Sequence, residues 1–164
     1  MSKPISSLTG QIQAEIDLLA AELVDLRRDL HAHPELSWAE ERTTNVVAKT
    51  LDEAGLAPVL LPRGGLMVDI GSDGPITALR ADLDALPVDD ATGLPWMSTV
   101  PGVAHACGHD VHTAALVGVG RALARYQEQL PGRVRLIFQP AEEVMPGGAL
   151  MAIESAVLDG VNFI

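Results

Sequence analysis

Apolar residues recur along this chain with two periods. Over residues 11–30, Ile12, Ile16, Leu19, Leu23, Leu26 and Leu30 fall at steps of three and four, which predicts an amphipathic helix that Pro34 stops. Ser37-Trp38-Ala39-Glu40 has the spacing of a capping box, predicting a second helix that buries Val46, Val47 and Leu51 and leaves at Gly55. Aliphatic runs at 66–70 and 76–81 predict two strands, joined through Gly71-Ser72-Asp73-Gly74-Pro75 as a hairpin or tight turn. Residues 85–107 read as irregular. A third helix over 111–130 carries Ala115, Leu116, Val119, Leu123 and Tyr126 on one stripe. Residues 133–139 have the composition of a buried strand ended by Pro140, and 147–158 read as a last helix. Helices alternating with strands predict a three-layer α/β fold with a mixed, mostly parallel sheet. The apolar run Val161-Asn162-Phe163-Ile164 predicts a further strand that is cut short, leaving the sheet incomplete at the C-terminus.

Composition narrows the function. With 164 residues, 48% of them apolar, a single domain can bury roughly 70% of its unfolded surface without a covalent staple. The lone cysteine, Cys107, permits no internal disulfide, which fits a reducing cytoplasm. Twenty-two acidic residues against eleven basic ones give a net charge of −11, which disfavours nucleic-acid and anionic-membrane partners. No phosphate-loop pattern is present, and Gly118-Val119-Gly120 sits inside a helix pattern, where close packing explains it.

Candidate chemistry collects where strands end and helices begin, the edge at which open α/β sheets bind ligands. Asp82 and Asp84 leave a hydrophobic strand two residues apart, so that they either orient a histidine or line a solvated turn. His105-Ala106-Cys107-Gly108-His109-Asp110-Val111-His112 packs three imidazoles, a thiol and a carboxylate into eight residues. Thiolate and neutral imidazole are ligands that zinc and similar cations prefer, and Gly108 frees the backbone to aim Cys107 and His109 at one point. His105 and His112 are candidates for direct ligation or for a supporting place behind the ligands. Without the imidazoles around it, Cys107 would read as a small buried hydrophobe. Glu142 and Glu143 follow the next strand. Neighbours on a regular strand cannot both face one atom, so one would bind metal while the other, as a base, holds the attacking water; a solvated acidic pair is the alternative. Leu30-His31-Ala32-His33-Pro34 reads as a helix end with histidines suited to its dipole.

Together these strings resemble the metal-dependent amidohydrolases that include hippurate hydrolases, auxin-conjugate hydrolases and N-acetyldiaminopimelate deacetylases. The resemblance rests on Arg27-Arg28-Asp29-Leu30-His31 with Pro34-Glu35-Leu36-Ser37, on Arg80-Ala81-Asp82-Leu83-Asp84-Ala85-Leu86-Pro87, on the 105–112 cluster, and on Gln139-Pro140-Ala141-Glu142-Glu143 with Pro146-Gly147-Gly148-Ala149. It implies a zinc-exopeptidase-like catalytic domain holding two divalent metal ions (zinc, manganese, cobalt or nickel). In that scheme Cys107 is the bridging thiolate, His109 and Glu143 are terminal ligands, Glu142 is the general base, and Asp84 is the orienting acid, with Asp82 beside it. The implied reaction is hydrolysis of the amide bond of an N-acyl amino acid. Family members are more than twice as long, so residues 1–164 would be the N-terminal portion of the catalytic domain. The lid and dimerisation domain and two further histidine ligands would lie outside it, the full-length form being a homo-oligomer and the 164-residue chain alone inactive. Two other readings stay open: a non-catalytic metal-binding or interaction protein, and a cysteine hydrolase with Cys107 as nucleophile and His105 or His109 as base.

Overall fold

The first helix, α1 (Ile5–Ala32), begins before the predicted stripe because buried Leu8 extends it one step N-terminal to Ile12. The computed structural model describes residues 5–164. The elements that follow are α2 (Glu41–Glu53), β1 (Val59–Leu60), β2 (Leu66–Ile70), β3 (Ile76–Asp82), α3 (His109–Ala124), β4 (Arg133–Gln139), α4 (Gly148–Glu154) and β5 (Val161–Phe163). A 3-10 turn, Gln127–Gln129, takes up part of the predicted tail of the third helix.

The sheet is mixed, in the order β1-β2-β4-β3-β5. β3 runs parallel to β4 and to β5, whereas β2 is antiparallel to both β1 and β4. The hairpin expectation for β2 and β3 is therefore corrected: the chain turns tightly after Ile70, but β4 lies between the two strands. Burial explains the insertion. Leu136, Ile137 and Phe138 of β4 are at most 2% exposed, and a strand this apolar on both faces belongs in the middle of a sheet. On one face α1, α2 and α3 cover Leu66, Val68, Ile70, Ala81, Leu136 and Phe138 with Leu23, Leu26, Val47, Leu51, Leu116 and Val117. On the other, Ala152 and Val157 pack on Ala78 and Ile137. Those are the three expected layers.

Glycine sets the approach of α3. A Cβ on Gly118 would lie 2.6 Å from Leu23 Cδ1, and one on Gly120 2.8 Å from Leu136 Cδ1, so close packing accounts for this pair as expected. Ala115, placed on the buried stripe by periodicity, is exposed; Ala114, Val117 and Gly118 take the inward positions.

The capping expectation at Ser37 is also corrected. α2 starts at Glu41, and Trp38 stands at φ 67°, outside helical conformation. The free N–H groups of Arg42 and Thr43 are taken by the Glu35 carboxylate at 2.9 and 2.7 Å, which leaves the Ser37 hydroxyl for another partner. Of the three residues expected to be buried, Val47 and Leu51 are; Val46 is half-buried.

Arg135 ties β4 to its neighbours. Nε and Nη2 fork onto the two carboxylate oxygens of Asp69, directly opposite on β2, each at 2.7 Å. Nη1 donates to the carbonyls of Val157 and Asp159. Arg135→Met should lower stability by about 2–3 kcal/mol, the scale of losing hydrogen bonds to a charged group, as read from urea unfolding. Hydrogen bonding to Arg135 lowers the Asp69 pKa. The pair therefore stabilises above the ordinary carboxylate range and stops doing so as pH falls through the lowered value. The difference between wild type and Arg135→Met should accordingly shrink in acid; an equal difference at all pH values would exclude a role for the Asp69 charge.

Candidate metal centre

Parallel pairing of β3 with β4 sets Asp82 opposite Gln139, so both strands deliver their carboxyl ends to one place. The N-terminus of α3 comes to the same edge: Gly108, at φ 80°, precedes the helix, and Val111 and His112 donate back to its carbonyl. Three segments distant in sequence, 82–84, 107–112 and 141–143, thus converge.

Asp84 is the hub, 1% exposed. Its Oδ2 accepts from Ser37 Oγ at 2.6 Å and from the Glu143 N–H at 2.9 Å. Burial alone would raise its pKa, but hydrogen bonds from His109, Ser37 and the backbone of Glu143 and Glu142 hold it well below the usual carboxylate range. His109 Nδ1 donates to the Asp84 carbonyl at 2.9 Å, with Oδ1 at 3.3 Å. That donation turns Nε2 toward the cluster, the nitrogen through which the ring would ligate a cation on giving up its Nε2 proton. Hydrogen bonding to Asp84 pushes the His109 pKa up to about 8.

His109 Nε2 lies 3.8 Å from Glu143 Oε1 and 4.0 Å from Glu142 Oε2. These gaps are too long for hydrogen bonds. They do suit a shared cation, since two atoms each about 2.1 Å from zinc stand at most about 4.2 Å apart. One ligand atom from each of His109, Glu142 and Glu143 falls within a 4.8 Å group, and Asp82, His109 and His112 form a second such group. The donor set fits divalent cations. Both adjacent glutamates reach His109 because the chain has left the strand: Ala141 stands at φ 50°, and the turn it makes brings neighbouring side chains to one side. The expectation that adjacent acids diverge assumed a regular strand, and this turn overrides it.

Cys107 is exposed, so the buried-hydrophobe reading does not hold. Its Sγ belongs to neither 4.8 Å group; interaction with the Glu143 carboxylate raises its pKa. Asp82 pairs with Arg80 as well as facing His109 and His112. The His109 and His112 rings are 5.6 Å apart, on the shared helix face that their spacing predicts. His105 joins neither group; it is 5% exposed, and burial holds its pKa down to about 4. Asp110 points the other way, to His31 Nδ1 at 2.7 Å and Arg27 Nε at 2.9 Å, locking α3 to α1. His31 also meets Asp90 at 3.2 Å. The helix-end reading of His31 missed this link, which depends on residues 59 and 79 positions away. Ser37, Glu35 and Glu40 were likewise not legible as parts of the site's frame.

An α/β domain whose parallel strands deliver carboxylates to a helix-borne imidazole presents the donor set of a cation-binding centre. The model of peptidase family M20/M25/M40 matches residues 78–163, more than half of the chain and all three segments of the site, and the chain belongs to this family. It is 47% identical over 151 residues to the N-acetyl-L-cysteine deacetylase of Bacillus subtilis (strain 168), covering 90% of this chain and 36% of that protein. It is 59% identical over 159 residues to a Rhodococcus jostii (strain RHA1) protein carrying a glutamate–cysteine ligase name, covering 96% of this chain but only 20% of that one. Most of the protein so named lies outside the matched segment. The fold superposes with a TM-score of 0.84 and 44% identity on the crystal structure of a dinuclear metal-binding peptidase of the M20 family from Bacillus subtilis, covering 88% of this chain and 42% of that one. The chain therefore spans between a fifth and about two fifths of these relatives.

Proposed function

We propose that residues 1–164 are the N-terminal portion of the catalytic domain of a metal-dependent amidohydrolase that cleaves the amide bond of N-acyl amino acids. The convergence of His109 Nε2 with Glu142 and Glu143 at the carboxyl ends of β3 and β4 carries this reading. The deacetylase name of one relative and the dinuclear site of another support the substrate class and the metal count. The lid and dimerisation domain and the remaining ligands would belong to the length of relatives that this chain does not span. A cytoplasmic homo-oligomer is the matching form; no helix among the described residues is long and apolar enough to cross a membrane.

Cys107, His109 and Glu143 would hold two divalent cations, which when bound supply Lewis acidity toward the amide carbonyl and the attacking water. Glu142, with a side chain 43% exposed, is the carboxylate open to substrate. It takes a proton from water at an Oε atom and returns it to the leaving nitrogen. Asp84 fixes His109 through Nδ1, and Ser37 and the Glu143 N–H fix Asp84 in turn. Asp82, His105 and His112 stand behind or beside the ligands. The cysteine-nucleophile reading has less support, because the neighbouring Glu143 carboxylate raises the pKa of the Cys107 thiol, and the thiolate is the nucleophile.

Chelation tests the proposal. Turnover of N-acyl amino acids by the protein carrying this chain should vanish in chelator and return with zinc, manganese or cobalt; turnover that survives complete metal removal would exclude it. Cys107→Ser should lower bound metal in elemental analysis by about half or more, since a serine hydroxyl is a far weaker ligand than thiolate. Undiminished metal in that variant would remove Cys107 from the ligand set.

A further inference from the structure

Glu40 is 2% exposed, and its Oε1 accepts the Ala141 N–H at 2.7 Å across 101 residues of sequence. Its Oε2 is buried without a hydrogen-bond partner beneath the Gly64-Gly65 turn. Glu35, not Glu40, satisfies the free amides at the start of α2, so helix capping does not account for this carboxylate. Two residues along the same turn, the Glu143 N–H is held by Asp84. Alternate amides, at 141 and 143, are thus each clamped by a buried carboxylate, and residue 142 stands between the clamps. The turn needs them, because Ala141 sits at φ 50°, a conformation that L residues adopt only when their surroundings impose it.

We infer that Glu40 is a positioning residue that sets the direction of the Glu142 carboxylate by holding the Ala141 amide. This rests on the reading of Glu142 as the base. The contact is an oxygen accepting the Ala141 N–H, and a glutamine carries an acceptor oxygen at the same reach, so glutamine should substitute. Glu40 belongs to the segment following α1, and the turn follows β4. Glu40 therefore acts on catalysis through the geometry of a loop about a hundred positions away.

The test compares kcat, KM, bound metal and thermal midpoint for Glu40→Leu, Glu40→Gln, Glu142→Gln and the Glu40→Leu/Glu142→Gln double variant, in the metal-replete protein carrying this chain, with an N-acetyl amino acid as substrate. Glu40→Leu should lower kcat about 10- to 100-fold, the scale of an ångström of misplacement, with KM changed less than about threefold. Bound metal should stay at the wild-type level, because Asp84 still holds Glu143. Glu40→Gln should restore most of kcat. In the Glu142→Gln background Glu40→Leu should cost less than about twofold more, since a residue acting through the base has nothing left to act on. An unchanged kcat in Glu40→Leu, or the same further loss in both backgrounds, overturns the positioning role while leaving the base in place. A Glu142→Gln protein at wild-type rate overturns the base and the positioning role together. Should Glu40→Leu fail to fold, Glu40→Asp, one methylene short of Ala141, carries the same expectations.

Discussion

Glu142→Gln is expected to leave bound metal at its wild-type level and to lower turnover of N-acyl amino acids by at least about 10²-fold, the usual contribution of a positioned general base. The neighbouring substitution should behave differently. Glu143→Gln should lose metal and turnover together, because Glu143 Oε1 faces His109 Nε2 at 3.8 Å while its own amide is tied to Asp84. The two glutamates are of one type and adjacent, so a general effect of lost negative charge would strike them alike. Elemental analysis beside steady-state kinetics separates the cases. Equal metal loss in both variants would mean that the pair ligates jointly, and near-normal turnover in Glu142→Gln would place the base elsewhere.

Gly148→Ala should be nearly as damaging although residue 148 has no chemistry. A Cβ there would lie 1.8 Å from the carbonyl oxygen of Pro140 and 2.8 Å from its carbonyl carbon. Both are backbone atoms, so no rotamer change relieves the overlap. The Gly148 N–H also donates to Ala141 O at 2.8 Å, which fastens the start of α4 to the turn that carries Glu142 and Glu143. Relief requires moving the Pro140–Ala141 peptide. We expect roughly 1–3 kcal/mol of lost stability from overpacking, with about 10²-fold lower turnover from the displaced turn. Gly10→Ala is the control, since a Cβ there meets nothing within 4 Å and alanine favours helix by up to about 1 kcal/mol. Wild-type turnover and urea midpoint in Gly148→Ala would show that the helix start and the turn are not in this contact.

Local pattern was sufficient for much of the fold. The helix over residues 11–30 follows from residue periodicity, because burial of one face imposes a period that the sequence must carry, and the strand at 133–139 follows from an apolar run buried on both faces. The close approach of α3 was legible in Gly118 and Gly120, since only a missing Cβ allows it. The density of imidazole, thiol and carboxylate over 105–112 pointed to a site, and its spacing put His109 and His112 on one face. Those features are local, and local features survive in one dimension.

Partnerships over long separations were not legible. Ser37 looked like a helix cap, and periodicity could not reveal that Glu35 caps the helix or that Ser37 reaches Asp84, 47 residues on. Strand composition could not reveal that β4 enters between β2 and β3, because an apolar run states burial and not its neighbour. Nor did the adjacency of Glu142 and Glu143 disclose that both reach His109, which a left-handed residue at Ala141 makes possible. By itself the sequence determined most of the elements, though not β1 or the start of α2, together with the α/β class and the residue types from which a cation centre can be built. Tertiary structure alone decided which carboxylate clamps which amide, since a hydrogen bond between residues 40 and 141 depends on the path of all the chain between them.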